Sequence, residues 1–223
     1  MTREQHKAIS INRKNLESAV KISAKKLGYK SVRGYYYKYN QPVIASVYIY
    51  LAVDRGDLDI VTEVELIVPE LNEIIWRLLG IEAENLAKPF SRHVCDDFTM
   101  PAVEMLFVRT AVPENTVTQE LIDNEFENAD KAVAELFCRI KSVSDFENEV
   151  IKLLDEDNCR KRYLETVRII CRLYANDNDT AYKLVCDAIS RGENGNMFVV
   201  LPGGEKSLYD FIREQCEICQ KNP

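Results

Sequence analysis

Apolar residues recur at helical intervals along the start of the chain. Ile9, Leu16, Val20 and Leu27 fall on one narrow stripe if residues 2–27 wind at about 100° per residue. Gly28 follows the last apolar position, where a glycine commonly ends a helix. The opposite edge carries Arg3, Lys7, Lys14, Lys21 and Lys25, so the pattern predicts a helix that packs by one side and shows a basic ridge on the other.

The period then shortens to two. Residues 33–39 read Arg-Gly-Tyr-Tyr-Tyr-Lys-Tyr, rich in strand-forming aromatics, and Asn40-Gln41-Pro42 is a turn signal. Ala45, Val47, Ile49, Leu51 and Val53 alternate with Ser46, Tyr48, Tyr50 and Ala52. Asp54-Arg55-Gly56-Asp57 is a hairpin turn, answered by Ile60, Thr62, Val64, Leu66 and Val68 inward and Glu63 and Glu65 outward. Three half-buried strands in a meander are expected.

Helical and extended text then mix. Pro69 opens a helix over 70–79 with Leu71, Ile74, Ile75, Leu78 and Leu79 on one face, and Gly80 ends it. Residues 89–101 show no regular pattern. Residues 102–112 suggest a fourth strand, Val103, Met105, Phe107 and Arg109 alternating against Glu104, Leu106 and Val108. Past Pro113-Glu114-Asn115, helices are predicted over 118–140, 143–154, 160–174 and 180–190, the second capped by Ser144 with Glu147 completing a capping box. A short strand at 197–201, a Pro202-Gly203-Gly204 loop and a last helix over 206–220 complete the chain. Grouped strands argue for an α+β fold over α/β. The expected architecture is an N-terminal helix packed on a mainly antiparallel sheet, followed by a helical C-terminal half. The expected regions are 1–112 and 113–223, packed as one compact unit.

Composition supports a core and adds a charge split. The chain is 46% hydrophobic and 29% charged, which excludes a disordered or low-complexity protein. Residues 1–50 carry ten Lys or Arg against two Glu, a net of +8, whereas residues 51–223 carry a net of −15. Seven of the eleven tyrosines lie between Tyr29 and Tyr50. The opening residues lack the apolar centre of a signal peptide, and the longest apolar stretch, 42–53, is too short to span a bilayer as a helix. Seven cysteines, an odd number beside aliphatic neighbours, read as buried thiols in a reducing compartment. The expectation is a cytoplasmic protein with no membrane contact.

Candidate chemistry is sparse. Cys216-Glu217-Ile218-Cys219 offers half a zinc site, and His93-Val94-Cys95 could supply the rest, making His93, Cys95, Cys216 and Cys219 the metal candidates. Only two histidines are present, and no Gly-x-Ser-x-Gly elbow or His-Glu-x-x-His motif accompanies them. His93, Asp96 and Asp97 form the best polar cluster. Gly203-Gly204-Glu205-Lys206-Ser207 lacks the spacing of a nucleotide loop, although amides at a helix start there could hold an anion. Asp59, Glu63 and Glu65 have the look of a nuclease strand, but Leu66-Ile67 stand where its lysine belongs. Lys7, Lys14, Lys21, Tyr36 and Lys38 form a candidate basic and aromatic face that could track phosphates and stack bases.

Lys25-Lys26-Leu27-Gly28-Tyr29-Lys30, Gly34-Tyr35-Tyr36-Tyr37-Lys38 and Val68-Pro69-Glu70-Leu71 resemble bacterial families of unknown function that open with a helix, a Leu-Gly-aromatic-Lys turn and a meander. The likeness covers roughly the first 80 residues. Similar small acidic α+β proteins include immunity proteins, which neutralise toxins by binding them. The resemblance implies no catalytic residues. With the charge split and the missing catalytic sets, the expectation is a non-enzymatic binding protein, immunity-like or an adaptor, with a protein partner and no cofactor. The alternatives are a nucleic-acid-binding accessory protein using the basic N-terminal face, and a zinc-dependent enzyme or zinc-stapled protein.

Overall fold

The computed structural model describes residues 2–54, 57–81, 92–95, 99–156, 161–202 and 204–221. The chain begins with α1 (Arg3–Lys26), then β1 (Lys30–Val32), β2 (Tyr35–Asn40), β3 (Val43–Asp54) and β4 (Asp57–Ile67). Helix α2 (Pro69–Leu78), the single turn α3 (Arg92–Cys95) and β5 (Val103–Ala111) follow. A 3-10 turn at Pro113–Asn115 leads into α4 (Gln119–Arg139), α5 (Val143–Glu156), α6 (Lys161–Tyr174) and α7 (Asn178–Ser190). The hairpin β6 (Phe198–Leu201) and β7 (Gly204–Ser207) precedes α8 (Leu208–Lys221). This is the expected α+β arrangement, with an N-terminal helix, a five-stranded antiparallel sheet and a helical C-terminal half.

The chain divides differently from the expected boundary at 113. One compact unit comprises Met1–Ile67 with Glu104–Arg139, the other Val68–Val103 with Ile140–Pro223. Helix α4 thus belongs with the sheet. The reason lies in its apolar face: Ile122, Phe126, Ala129, Val133 and Leu136 are buried, and α4 packs on α1, β3 and β4.

Within the first unit the strand order is β1-β2-β3-β4-β5. The β3–β4 hairpin pairs Asp54 with Asp57 and keeps one register back to Ile44 and Ile67; its tip, Arg55 and Gly56, lies outside the described residues. Val47, Ile49 and Leu51 oppose Val64, Thr62 and Ile60 on the helix-covered face, all buried. The fourth predicted strand exists as β5, but its alternation is not realised: beyond Val103 its residues are half-buried or exposed, as suits an edge strand.

Two polar residues complete the stripe of α1. Asn12 and Ser23 occupy buried positions between the apolar ones. Asn12 Nδ2 donates to the Asn115 carbonyl at 2.9 Å, and Asn12 Oδ1 accepts from the Val117 amide at 2.8 Å. Ser23 Oγ donates to Asp123 Oδ1 at 2.6 Å. The narrow stripe read from Ile9, Leu16 and Val20 is therefore widened by side chains that tie α1 to α4 and the turn before it. Gly28, at φ +78°, supplies the left-handed residue that ends α1.

The second unit is built on helix pairs, α5 on α6, α6 on α7 and α7 on α8, with α2 against α6. The cap of α5 is Ser142, not Ser144: Ser142 Oγ accepts from the Asp145 amide at 3.1 Å, and Asp145 Oδ2 accepts from the Lys141 amide at 3.0 Å. Glu147 cannot fold back to cap because it is buried and holds Arg172 Nε at 2.6 Å. The last helix starts later than predicted. Lys206 and Ser207 pair in the β6–β7 hairpin, and Ser207 caps α8 by accepting from the Asp210 amide at 3.2 Å.

Candidate functional site

The face of the sheet turned away from α1 and α4 carries the most concentrated chemistry. Tyr48 and Tyr50 are alternate residues of β3, so they project from the same side, and Tyr48 stands directly opposite Glu63 of β4. Tyr35 of β2 joins them. Its ring stacks on Tyr48 at 5.0 Å with 26° between planes, and Tyr48 meets Tyr50 at 5.2 Å and 32°. All three rings are half-buried, whereas Ile44, Ser46, Val61 and Ile67 on the same face are buried.

Carboxylates flank this row. Tyr50 Oη donates to Glu63 Oε1 at 3.0 Å, and burial followed by that bond raises the phenol's pKa. The Glu65 carboxyl is raised above the ordinary carboxylate range by burial first, then by the Glu63 and Glu104 charges. Among the described residues, neither Glu63 nor Glu65 enters an ion pair with lysine or arginine, whereas Asp59 binds Arg109 Nε at 2.6 Å. Tyrosine faces present negative electrostatic potential, and carboxylates add formal charge, so both components attract a cation.

The basic and aromatic face expected from Lys7, Lys14, Lys21, Tyr36 and Lys38 is not brought together as one surface. Lys7, Lys14 and Lys21 are exposed on α1 beside Arg3 and Lys25. Tyr36 and Lys38, paired with Val47 and Ala45, lie on the helix-covered side of the sheet. Lys38 Nζ binds Asp130 Oδ1 at 2.6 Å and lies 4.4 Å from the centre of the Tyr29 ring. Tyr29 Oη donates to the same Asp130 oxygen at 2.9 Å, and Tyr36 meets Phe126 edge-on at 6.1 Å. These two residues are structural ties within the first unit.

His93 is also committed to the fold. It is buried, its Nδ1 lies 3.3 Å from Asn72 Nδ2, and its ring rests 5.0 Å from that of Trp76. Burial lowers its pKa, which favours the neutral ring. Asn72 uses its oxygen on the Met100 amide at 2.7 Å, so one buried amide organises both ends of this segment. Asp96, Asp97 and the side chain of Cys95 lie outside the described residues. Cys216 is buried and its thiol is pushed up to about 11 by burial, Cys219 and Cys186 adding. Among the described residues no group of three or more His, Cys, Asp or Glu side chains is placed to hold a metal. The helix start at Ser207 does not leave its amide for an anion, because Asp210 Oδ2 accepts from it at 3.2 Å.

A second concavity, about 580 Å³, opens in the helical unit between Ile74, Leu78, Leu173, Tyr174, Phe211 and Ile218. Its acidic member, Glu214, is paired with Lys206. No helix among the described residues is long and apolar enough to cross a membrane.

The outward positions of Tyr48, Tyr50, Glu63 and Glu65 are legible in the alternation, and the Asp54–Asp57 turn sets Tyr48 against Glu63. What periodicity did not reveal is that Tyr35 and Glu104, thirteen and thirty-nine residues away from the nearest members, join them. No protein-family model matches this chain, and comparison with curated proteins and with solved structures likewise returns no match.

Proposed function

We propose that the protein is a non-catalytic binding protein that recognises a cationic segment of a protein partner through the Tyr35–Tyr48–Tyr50 row and the adjoining Glu63 and Glu65. The observation that carries this reading is the stacking of three half-buried tyrosines beside carboxylates that repel one another. Tyrosine pairs across strands also stabilise a sheet, and the row serves that purpose too. Burial in the fold raises the Glu65 pKa first, and the Glu63 and Glu104 charges add to it against a hydrogen bond from Ser46. An arriving Arg or Lys would relieve that repulsion, and each cation–π contact is worth about 0.5–1 kcal/mol when exposed and about 2 when desolvated. The net −15 of residues 51–223 favours a basic partner by long-range attraction. The resemblance of roughly the first 80 residues to bacterial families of unknown function implies no catalytic residues, which agrees with a binding role. We place this role in the cytosol, where thiols such as Cys138 and Cys171 stay reduced.

Fluorescence anisotropy with a labelled arginine-rich peptide tests the reading. Saturable binding that weakens by at least about tenfold in Tyr48→Leu and in Glu63→Gln is expected, with circular dichroism unchanged. Affinity should also fall as the pH drops and Glu65 takes up a proton. Equal binding by the wild type and both variants would sink the assignment to this face.

The exposed ridge of Arg3, Lys7, Lys14, Lys21 and Lys25 favours a second reading, nucleic-acid binding along α1. That reading expects oligonucleotide retention that falls steeply with salt. It loses its ground if Lys7→Ala/Lys14→Ala/Lys21→Ala protein is retained equally.

A further inference from the structure

The loop after α7, Gly192-Glu193-Asn194-Gly195-Asn196, folds over the buried Tyr209 of α8. Gly195 makes this close approach. Its φ is +76°, and a Cβ there would stand 2.9 Å from two atoms of the Tyr209 ring. Between loop and helices remains a small cavity of about 70 Å³, lined by Thr166, Glu193, Asn194, Asn196 and Tyr209. Its lining is rich in oxygen: a carboxylate, two side-chain amides and two hydroxyls, the hydroxyls of Thr166 and Tyr209 bonded to each other at 2.8 Å.

One cation beside this cavity is shared. Arg191 Nη2 binds Glu165 Oε2 at 2.6 Å, and Arg191 Nε binds Glu193 Oε1 at 3.1 Å, so one guanidinium serves two carboxylates. The second oxygen, Glu193 Oε2, is buried and has no hydrogen-bond partner among the described residues. A buried carboxylate oxygen left without a partner is costly, and such an atom calls for a water or an ion.

We propose that this cavity is a binding site for a hard cation of the calcium type, held by Glu193 Oε2 with the Asn196 side-chain oxygen, the Tyr209–Thr166 pair and water. Oxygen donors of this kind, carboxylate plus neutral amides and hydroxyls, suit calcium and exclude the soft metals that thiols select. The cavity has room for the ion and water to complete its shell. The site lies within the helical unit and is independent of the tyrosine–glutamate face.

Terbium luminescence on the full chain is the test, with tyrosine excitation and terbium as the probe, because Tyr209 lines the site. Sensitised emission displaced by calcium is expected, together with a melting temperature that rises with added calcium. Glu193→Gln should abolish the displaceable emission, and Glu193→Asp, which keeps the charge but shortens the arm, should weaken affinity by at least about tenfold. Glu135→Gln, at an exposed position of α4, should leave both signals unchanged. If Glu193→Gln does not fold, Glu193→Asp and the wild-type calcium titration decide. Emission that survives in folded Glu193→Gln or is unaltered in Glu193→Asp, or a melting temperature indifferent to calcium, would overturn the proposal and leave the cavity to water.

Discussion

The two faces of the five-stranded sheet are built from the same strands and differ in what closes them. On one side Val47, Ile49, Leu51, Ile60 and Val64 are sealed under α1 and α4, and buried polar groups there find partners. Thr62 donates to Glu125 at 3.1 Å, and Lys38 and Tyr29 share Asp130. On the other side, tyrosines stack half-buried and carboxylates crowd one another. Burial with partners yields stability, whereas burial beside like charge yields affinity for something that brings the opposite charge.

The largest test of this contrast is truncation of one aromatic on each face. Phe126→Ala, which empties a buried site, should cost about 3–5 kcal/mol in urea unfolding. Tyr48→Ala on the other face, which removes two ring contacts, should cost about 1–3 kcal/mol. Comparable losses would mean that the tyrosine row is core, and the binding assignment would fail with it.

Asn12 comes next. Asn12→Ala leaves the Val117 amide and the Asn115 carbonyl without their partner, and a loss of about 1–3 kcal/mol is expected by the same measurement. A neutral result would show that the polar closure of α1 adds nothing to its apolar stripe.

Smaller still is the ion pair of the sealed face. Lys38→Met should cost about 1 kcal/mol or less, since its partner Asp130 is itself partly shielded, whereas Lys26→Met should change little because its bond to Glu127 is exposed and 3.5 Å long. Equal effects would erase the distinction between sealed and surface pairs.

The last prediction has the opposite sign. Glu65 is raised above 4.5 in the folded chain, so the unfolded chain releases this proton first as pH increases. The contribution is present below the unfolded value and is lost as pH rises through the folded one. Glu65→Gln should therefore be more stable than wild type near neutral pH, with the gain vanishing in acid below about 4. A variant that is less stable at neutral pH would show that the ionised carboxylate is satisfied within the fold.

Much of the architecture was readable because it rests on local periodicity. The alternation of 45–53 against 60–68 and the turn between them set both strands and their register, since a shift of one residue would put Ser46, Tyr48 and Glu63 under the helices. The stripe of α1 and its Gly28 end were equally plain. Misreadings occurred where a local signal competed with a distant partner. Ser144 and Glu147 have the spacing of a cap, but Arg172 claims Glu147, so Ser142 and Asp145 do the capping. Lys38 has the appearance of a free surface cation until Asp130, ninety-two residues on, neutralises it. The candidate site divides along the same line: Tyr48, Tyr50, Glu63 and Glu65 followed from alternation, while Tyr35 and Glu104 did not.

By itself, then, the order of residues determined the elements, the outward tyrosines and glutamates of the hairpin, and the uneven spread of charge, because these depend on neighbours a few positions apart. Only the tertiary structure decided which charges are spent and which remain. That α4 joins the sheet, that His93 is held by Asn72, and that Glu193 keeps one oxygen unpaired beside Tyr209 all depend on residues far apart in the chain. Such pairings are set by the burial of whole helix faces, and no local pattern encodes which buried group will meet which.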